Sequence, residues 1–237
     1  MTKLWNILLN LVYPLKCEIC EQELSLTAAC RICPACRGKI IKITDQYCLR
    51  CGKPLQIEPT VCLECRQNDR IYFDSVRAAG IYQGVLRESV RVLKYNDRSC
   101  LGRELGELMV EAYRKHFDWA DFDYLIPVPL YRKQWRKRQY NQAQVLCLHL
   151  AEKTGIPELA GGLVRSRETR PQYQLTRQER GVNLRGAFRV NPKYDLAGKR
   201  VLVIDDISTT GTTINECARV LKQSGAEEVH GLVLAHG

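Results

Sequence analysis

A chain of 237 residues with 45% hydrophobic and 26% charged residues is too apolar to be disordered. It is long enough for one good core and a small satellite. Its 36 Lys and Arg against 26 Asp and Glu leave a net charge of +10, with a pI of about 9.1. That excess suits a polyanionic partner (an anionic substrate, nucleic acid or an acidic membrane) without choosing among them. Eight of the 12 cysteines stand in Cys-x-x-Cys pairs, which favours metal over disulfides and a reducing compartment.

The N-terminal run from Leu4 to Tyr13 places Leu4, Leu8 and Leu11 at helical spacing, with Trp5 and Val12 on the same side, and Pro14 ends the pattern. The run is too short to cross a membrane, no small-residue cleavage site follows it, and no integral span is expected anywhere. An amphipathic helix packed on the next module is the main reading, and weak membrane-surface docking is its rival.

The cysteine pairs are Cys17/Cys20, Cys33/Cys36, Cys48/Cys51 and Cys62/Cys65. They form an internal repeat: Cys17–Leu24 parallels Cys48–Leu55, and Cys33–Arg37 parallels Cys62–Arg66. Each pair makes a tight knuckle with two thiolates aimed at one ion, and two knuckles complete a closed, structural site of four thiolates. The repeat predicts about two Zn2+, the first two knuckles on one ion and the last two on the other. A cross-braced or nested pairing fits the same spacings. Zinc decides whether this segment folds, because so few large apolar groups build little core. Cys100, Cys147 and Cys217 stand singly and read as small buried hydrophobes.

From about Tyr72 onward, strands and helices alternate. Strands are expected at Ser75–Tyr82, Tyr124–Pro127, Gly186–Val190, Arg200–Ile204 and Val229–Ala235. Helices are expected at Gly84–Tyr95, Leu101–Phe117, Asn141–Lys153 and Ile214–Gln223, the last ended by Gly225. The pattern argues an α/β fold, a mainly parallel sheet with helices on both faces and ligands at the carboxyl ends of its strands. Between these elements, Arg132–Arg138 carries five Lys/Arg in seven residues and reads as a basic loop. Thr169–Phe188 is polar and Arg-rich and reads as a mobile hood. Arg87, Arg91, Lys94 and Arg98 share roughly one helix face, usually a solvated one.

The most informative stretch is Val201 to Thr213. Four apolar residues form a buried strand, and Asp205 and Asp206 stand at its end. Ile207 follows, then Ser208, Thr209, Thr210, Gly211, Thr212 and Thr213, five hydroxyls around one glycine before a helix. Carboxylates accept bonds from vicinal ribose hydroxyls, while backbone N–H groups, hydroxyls and the helix N-terminus hold a phosphate. This segment resembles the phosphoribosyl-pyrophosphate (PRPP) motif of type I phosphoribosyltransferases.

The whole chain resembles the ComF family, which joins a double zinc ribbon to a phosphoribosyltransferase-like domain. The residues that carry the resemblance are the four cysteine pairs, Leu93-Lys94-Tyr95, Val128-Pro129, Arg138–Gln142, Thr169–Gln172, Asn183 with Gly186-Ala187-Phe188, and Asp205–Thr213. It implies residues 1–70 as the N-terminal helix and ribbons and 71–237 as a type I phosphoribosyltransferase fold. It also implies PRPP binding with Mg2+ and a link to DNA uptake in natural transformation on the cytoplasmic side. On that reading Asp205 and Asp206 are catalytic. Lys94, Val128, Pro129, Arg138 and Asp205–Thr213 bind PRPP, and the basic loop takes the departing pyrophosphate. The acceptor stays unnamed. Basic residues interleaved with Tyr131, Trp135 and Tyr140 equally suit single-stranded DNA bound without turnover. A third reading is a zinc-braced adaptor for a DNA-uptake helicase or related competence protein. One departure from the family pattern is Gln139, where Gly is usual.

Overall fold

The computed structural model describes residues 15–25, 31–43, 45–58, 60–95, 99–170 and 175–237. The expected N-terminal helix, Cys30, Arg98, Pro171 and Gln172 lie outside these residues. The described chain begins with two one-turn helices, α1 (Pro34–Arg37) and α2 (Leu63–Arg66). Strand β1 (Ser75–Ile81) leads to α3 (Gly84–Tyr95) and α4 (Ser99–Phe117). Then come β2 (Tyr124–Pro127), α5 (Arg132–Arg138), α6 (Gln142–Thr154) and β3 (Leu163–Arg165). The chain closes with α7 (Arg177–Leu184), β4 (Phe188–Val190), β5 (Arg200–Ser208), α8 (Thr212–Gln223) and β6 (Glu228–His236).

Four strands form a wholly parallel sheet in the order β1-β6-β5-β2. Strand side chains alternate between faces, and both faces of this sheet are buried. Leu202, Ile204, Leu232 and Leu234 enter one core with Leu86, Val90, Met109, Leu146 and Leu150 from α3, α4 and α6. Val201, Val203, Val229 and Val233 enter the other with Ile214, Cys217, Ala218 and Leu221 of α8. Each fully buried aliphatic side chain stabilises by about 1.5–3 kcal/mol, whereas strand propensities span only about 1 kcal/mol. Two-sided burial is therefore what holds β5 and β6 at the centre. The expected parallel sheet with helices on both faces is what the chain forms.

The cysteine-rich segment closes the free edge of β1, which would otherwise present unpaired backbone groups. Val76 N–H donates to Arg50 O at 2.7 Å and Ile81 N–H to Ile41 O at 2.9 Å. Gly52 permits the approach: its φ is +73°, and a Cβ there would lie 2.5 Å from Val76 O. The buried Glu104 on α4 reaches across too, accepting from the Arg31 and Ile32 N–H groups at 2.8 and 3.1 Å.

Four elements differ from the sequence reading. The Arg132–Arg138 stretch is a helix, α5, not a loop, because Arg, Lys and Gln are good helix formers and Tyr131 supplies an extended N-cap. Strand β5 runs on to Ser208, so the acidic pair sits inside it. β3 pairs antiparallel with β4, which begins at Phe188 rather than Gly186; three residues are too few to show a period. The hood holds a helix, α7, begun by a Thr176/Glu179 capping box.

Gln139 ends α5 in the left-handed region, with φ +63°. This is the position where glycine is usual in the resembling family, and a left-handed turn explains why. Left-handed backbone costs a non-glycine residue about 1–2 kcal/mol, partly offset by the Gln139 Nε2 bond to Arg136 O at 2.7 Å. Gln139→Gly is expected to raise stability by up to about 1 kcal/mol in a urea unfolding curve. A clear loss of stability would refute the strain.

Candidate functional site

The eight paired cysteines form two clusters, Cys17/Cys20/Cys33/Cys36 and Cys48/Cys51/Cys62/Cys65, whose sulfurs all lie within 4.8 Å of one another in each. Adjacent knuckles therefore pair, and the cross-braced alternative is set aside. Cys20 Sγ lies 3.7 Å from Cys33 Sγ, and Cys51 Sγ 3.9 Å from Cys62 Sγ. Zinc–thiolate bonds of about 2.3 Å give a tetrahedron with edges of about 3.8 Å, so both clusters fit the ion. Backbone N–H groups point at the sulfurs: Cys33 N–H to Cys17 Sγ at 3.3 Å, and Cys62 N–H to Cys48 Sγ at 3.3 Å. Burial opposes ionisation of Cys17 and Cys48, yet these donors outweigh it and bring the thiols down to about 6 and about 7. Burial, with neighbouring thiols, pushes Cys36 and Cys65 up to about 12 and raises Cys51. Four thiols this close do not all ionise alone; a bound dication lets them.

The second centre forms at the end of β5. Asp205 and Asp206 are successive strand residues, so they leave on opposite faces. Asp206 turns toward α3, where Lys94 Nζ lies 2.9 Å from Asp206 Oδ2. The Lys94 side chain is 21% and that of Asp206 14% exposed, so the pair is poorly screened. The sequence reading aims Lys94 at phosphates; the structure sets it on the acidic pair. Asp205 turns toward α8 and the hood, and couples electrostatically to Arg165 and Cys217. Asp205 Oδ1 also accepts the Asp206 N–H at 2.8 Å. Desolvation, then the Asp206 charge, raises the Asp205 carboxyl to about 8, despite Lys94 and Arg165.

The loop beyond is shaped for an anion. Gly211, at φ +72°, caps α8 without any side-chain cap, which leaves first-turn N–H groups facing the loop. The Thr210 and Thr212 hydroxyls meet at 2.6 Å, and the buried Ser208 Oγ has no protein partner. Ile207 packs on the α3–α6 core, and Thr213 lies in the first turn of α8. Asn215 ties that turn to the segment after the second cysteine cluster, accepting from Tyr72 N–H at 2.7 Å and donating to Arg70 O at 2.8 Å.

Other expected residues fall at varying distance from this centre. Val128 sits beside it, its N–H on Ile204 O at 2.9 Å, and Pro129 follows. Arg138 donates to Gln142 Oε1 at 2.9 Å at the start of α6. Arg87 and Arg91 flank Glu88 on an exposed face, as a solvated stripe does. Of the three aromatics around α5, Trp135 is 50% exposed, while the Tyr140 hydroxyl bonds the Leu93 carbonyl. Two functional candidates escape the sequence reading. Arg180 of α7 donates to Thr209 Oγ1 at 2.7 Å, so the hood touches the Ser208–Thr213 loop. Arg165, at the end of β3, faces Asp205. Neither had a signal in the sequence beyond lying in an arginine-rich region.

Residues 8–66 match the double zinc ribbon domain family and residues 148–237 the phosphoribosyl transferase domain family. The chain is 31% identical to competence protein F of Haemophilus influenzae over 90% of its own length and 93% of the relative's. It is 30% identical to DNA utilization protein YhgH of Salmonella typhimurium, covering 92% of this chain and 96% of that one. It is 25% identical to competence protein ComFC of Bacillus subtilis, covering 90% and 91%. No helix among the described residues is long and apolar enough to cross a membrane.

Metal analysis of purified protein is expected to find about two zinc ions per chain, one per cluster, and Cys51→Ser is expected to lose one of them. A value near zero with all thiols free and the ribbons still folded would exclude the assignment. The second expectation concerns Asp205. Its folded pKa of about 8 lies above the unfolded value of about 4. Between those limits the folded state holds a proton that the unfolded chain has lost, so stability from this group falls as pH rises. Asp205→Asn should therefore stabilise the ligand-free protein relative to wild type at the top of that window and leave the difference small at its acid end. Parallel unfolding curves at both ends, with no change in the difference, would contradict the raised pKa.

Proposed function

Starting from a chain that belongs to the ComF family of competence and DNA utilization proteins, we propose that it binds Mg2+–PRPP and transfers its ribosyl group to an acceptor. The observation that carries this reading is the acidic pair leading directly into the Ser208–Thr213 loop at the carboxyl end of β5, with Lys94 set against Asp206. Asp205 and Asp206 accept the ribose hydroxyls from two sides. The Asp206 carboxylate, paired with Lys94, favours positive character at the anomeric carbon as the bond to pyrophosphate breaks. Thr209, Thr210, Thr212, Thr213 and the N–H groups of α8 hold the 5′-phosphate, and Arg180 closes on it from the hood. Helix α5 brings exposed Arg132, Lys133, Arg136 and Lys137 to the side of the site where β2 ends, to receive the pyrophosphate.

Asp205 and Asp206, the latter balanced by Lys94, are the carboxylates beside which substrate-borne Mg2+ would sit, and the ion would supply charge neutralisation of the leaving group. Residues 1–70 brace the unit formed by 71–237, and a cytoplasmic setting keeps the thiolates reduced.

A second reading is single-stranded DNA binding. The exposed Trp135 among the basic residues of α5 favours it. The two readings separate by salt, because binding through many phosphates weakens steeply as salt rises.

Calorimetric titration of Mg2+–PRPP into zinc-loaded protein is expected to show saturable micromolar binding. Joint Asp205→Asn and Asp206→Asn replacement should abolish it and leave any DNA binding intact. Arg180→Ala should weaken it about 10-fold, the loss of one charge-assisted bond. Absence of binding at millimolar PRPP would shift the assignment to nucleic acid.

A further inference from the structure

Several cations around the site have partners among the described residues. Lys94 pairs with Asp206, and Lys133 pairs with Glu168 at 3.0 Å. Arg180 is engaged with Thr209. Arg165 has only neutral partners: its Nη2 bonds the Thr169 hydroxyl, and its guanidinium carbon lies 5.5 Å over the Phe188 ring. No carboxylate among the described residues forms an ion pair with it, and its Nε is sealed from solvent without a hydrogen bond. Thr169 and Phe188 are themselves buried. An unpaired, largely buried guanidinium is costly unless something anionic completes it. The facing carboxyl, Asp205, is the one that burial and Asp206 hold back from ionising, and burial also pulls Arg165 below its usual value.

We propose that Arg165, with the Thr169 hydroxyl, forms an anion subsite on the hood side of the acidic pair and that the acceptor of the ribosyl group carries a carboxylate or phosphate that docks there. This rests on the PRPP reading and names the acceptor class it leaves open. The position argues for the acceptor. The 5′-phosphate has its own loop at Ser208–Thr213, and the pyrophosphate has the basic face of α5. Arg165 couples to Asp205 and stands at the base of the hood, where β3 and β4 pair it with Phe188. An anion held there sets the acceptor beside the sugar, and guanidinium geometry suits a carboxylate or phosphate in two-point contact.

The test uses inorganic phosphate as the probe. Zinc-loaded protein is first saturated with Mg2+–PRPP, which fills the phosphate loop, and phosphate is then titrated by calorimetry. Wild type should bind it at one saturable site. Arg165→Met, which keeps the packing on Phe188, should weaken that binding by about 10-fold or more, and Arg165→Lys should retain part of it. Both variants should bind PRPP within about 3-fold of wild type and melt near it. No phosphate uptake by the loaded wild type, or equal uptake by Arg165→Met, would overturn the subsite. A parallel 10-fold loss of PRPP affinity would assign Arg165 to the pyrophosphate and overturn the acceptor class. Failure of wild type to bind PRPP in the first titration would refute the transferase reading instead. Phosphate titrated into that unloaded protein would then decide the subsite alone, standing if Arg165→Met abolishes uptake and falling if it does not.

Discussion

Strand β5 is buried on both faces, and the alternation of its side chains governs what is built at its end. The same period that sends Val203 into one core and Ile204 into the other sends Asp205 and Asp206 to opposite sides. Two adjacent carboxylates would repel in a common environment. Here each meets a different one. Asp206 finds the Lys94 ammonium delivered by the last turn of α3, and Asp205 finds a drier space between α8 and the base of the hood. The result is two adjacent carboxyls in different surroundings, with the Asp205 carboxyl raised by burial and by Asp206, a division that needs no special residue, only a two-sided core.

The cysteine clusters serve that same strand indirectly. Each thiolate site lets a short, loop-rich segment hold one shape without a large core of its own. What the segment then offers is backbone: Arg50, Ile41 and the bare Cα of Gly52 lie against the outer edge of β1. Cys48, Cys51 and Cys65 share the core that packs on α8, whereas Cys17, Cys33 and Cys36 share the one with α4. Metal sites and sheet are therefore packed as one body. Asn215 carries the connection into the first turn of α8, next to the phosphate loop.

The hood is tied in by local bonds and by the same core. Its helix α7 is short, with a capping box and the reciprocal pair between Asn183 and Arg170. Leu184 of that helix is fully buried in the core with α8, and Gly186 N–H donates to Glu216 Oε1 on α8 at 2.7 Å. Arg180 bonds Thr209, and α5 meets the residue just before the hood through the Lys133–Glu168 pair. Exposed pairs of that kind contribute about 0–1 kcal/mol.

Much of the architecture was legible in the amino-acid order because it depends on local pattern. Apolar runs marked β5 and β6, the four knuckles and their repeat marked two metal sites in sequential pairs, and the Gly211–Thr213 stretch marked the start of α8. Each of those signals lies within a dozen or so residues. What the pattern left out depends on contacts across long separations. Lys94 pairs with Asp206, Tyr140 bonds the Leu93 carbonyl, and Arg165 and Arg180 were singled out among many arginines only by where β3 and α7 come to rest. The chain by itself determined which chemistry is present, because strand period, knuckle spacing and turn residues are local. The tertiary structure alone decided which charges meet and which stay unpaired, because burial and electrostatic partnership are properties of neighbours in space.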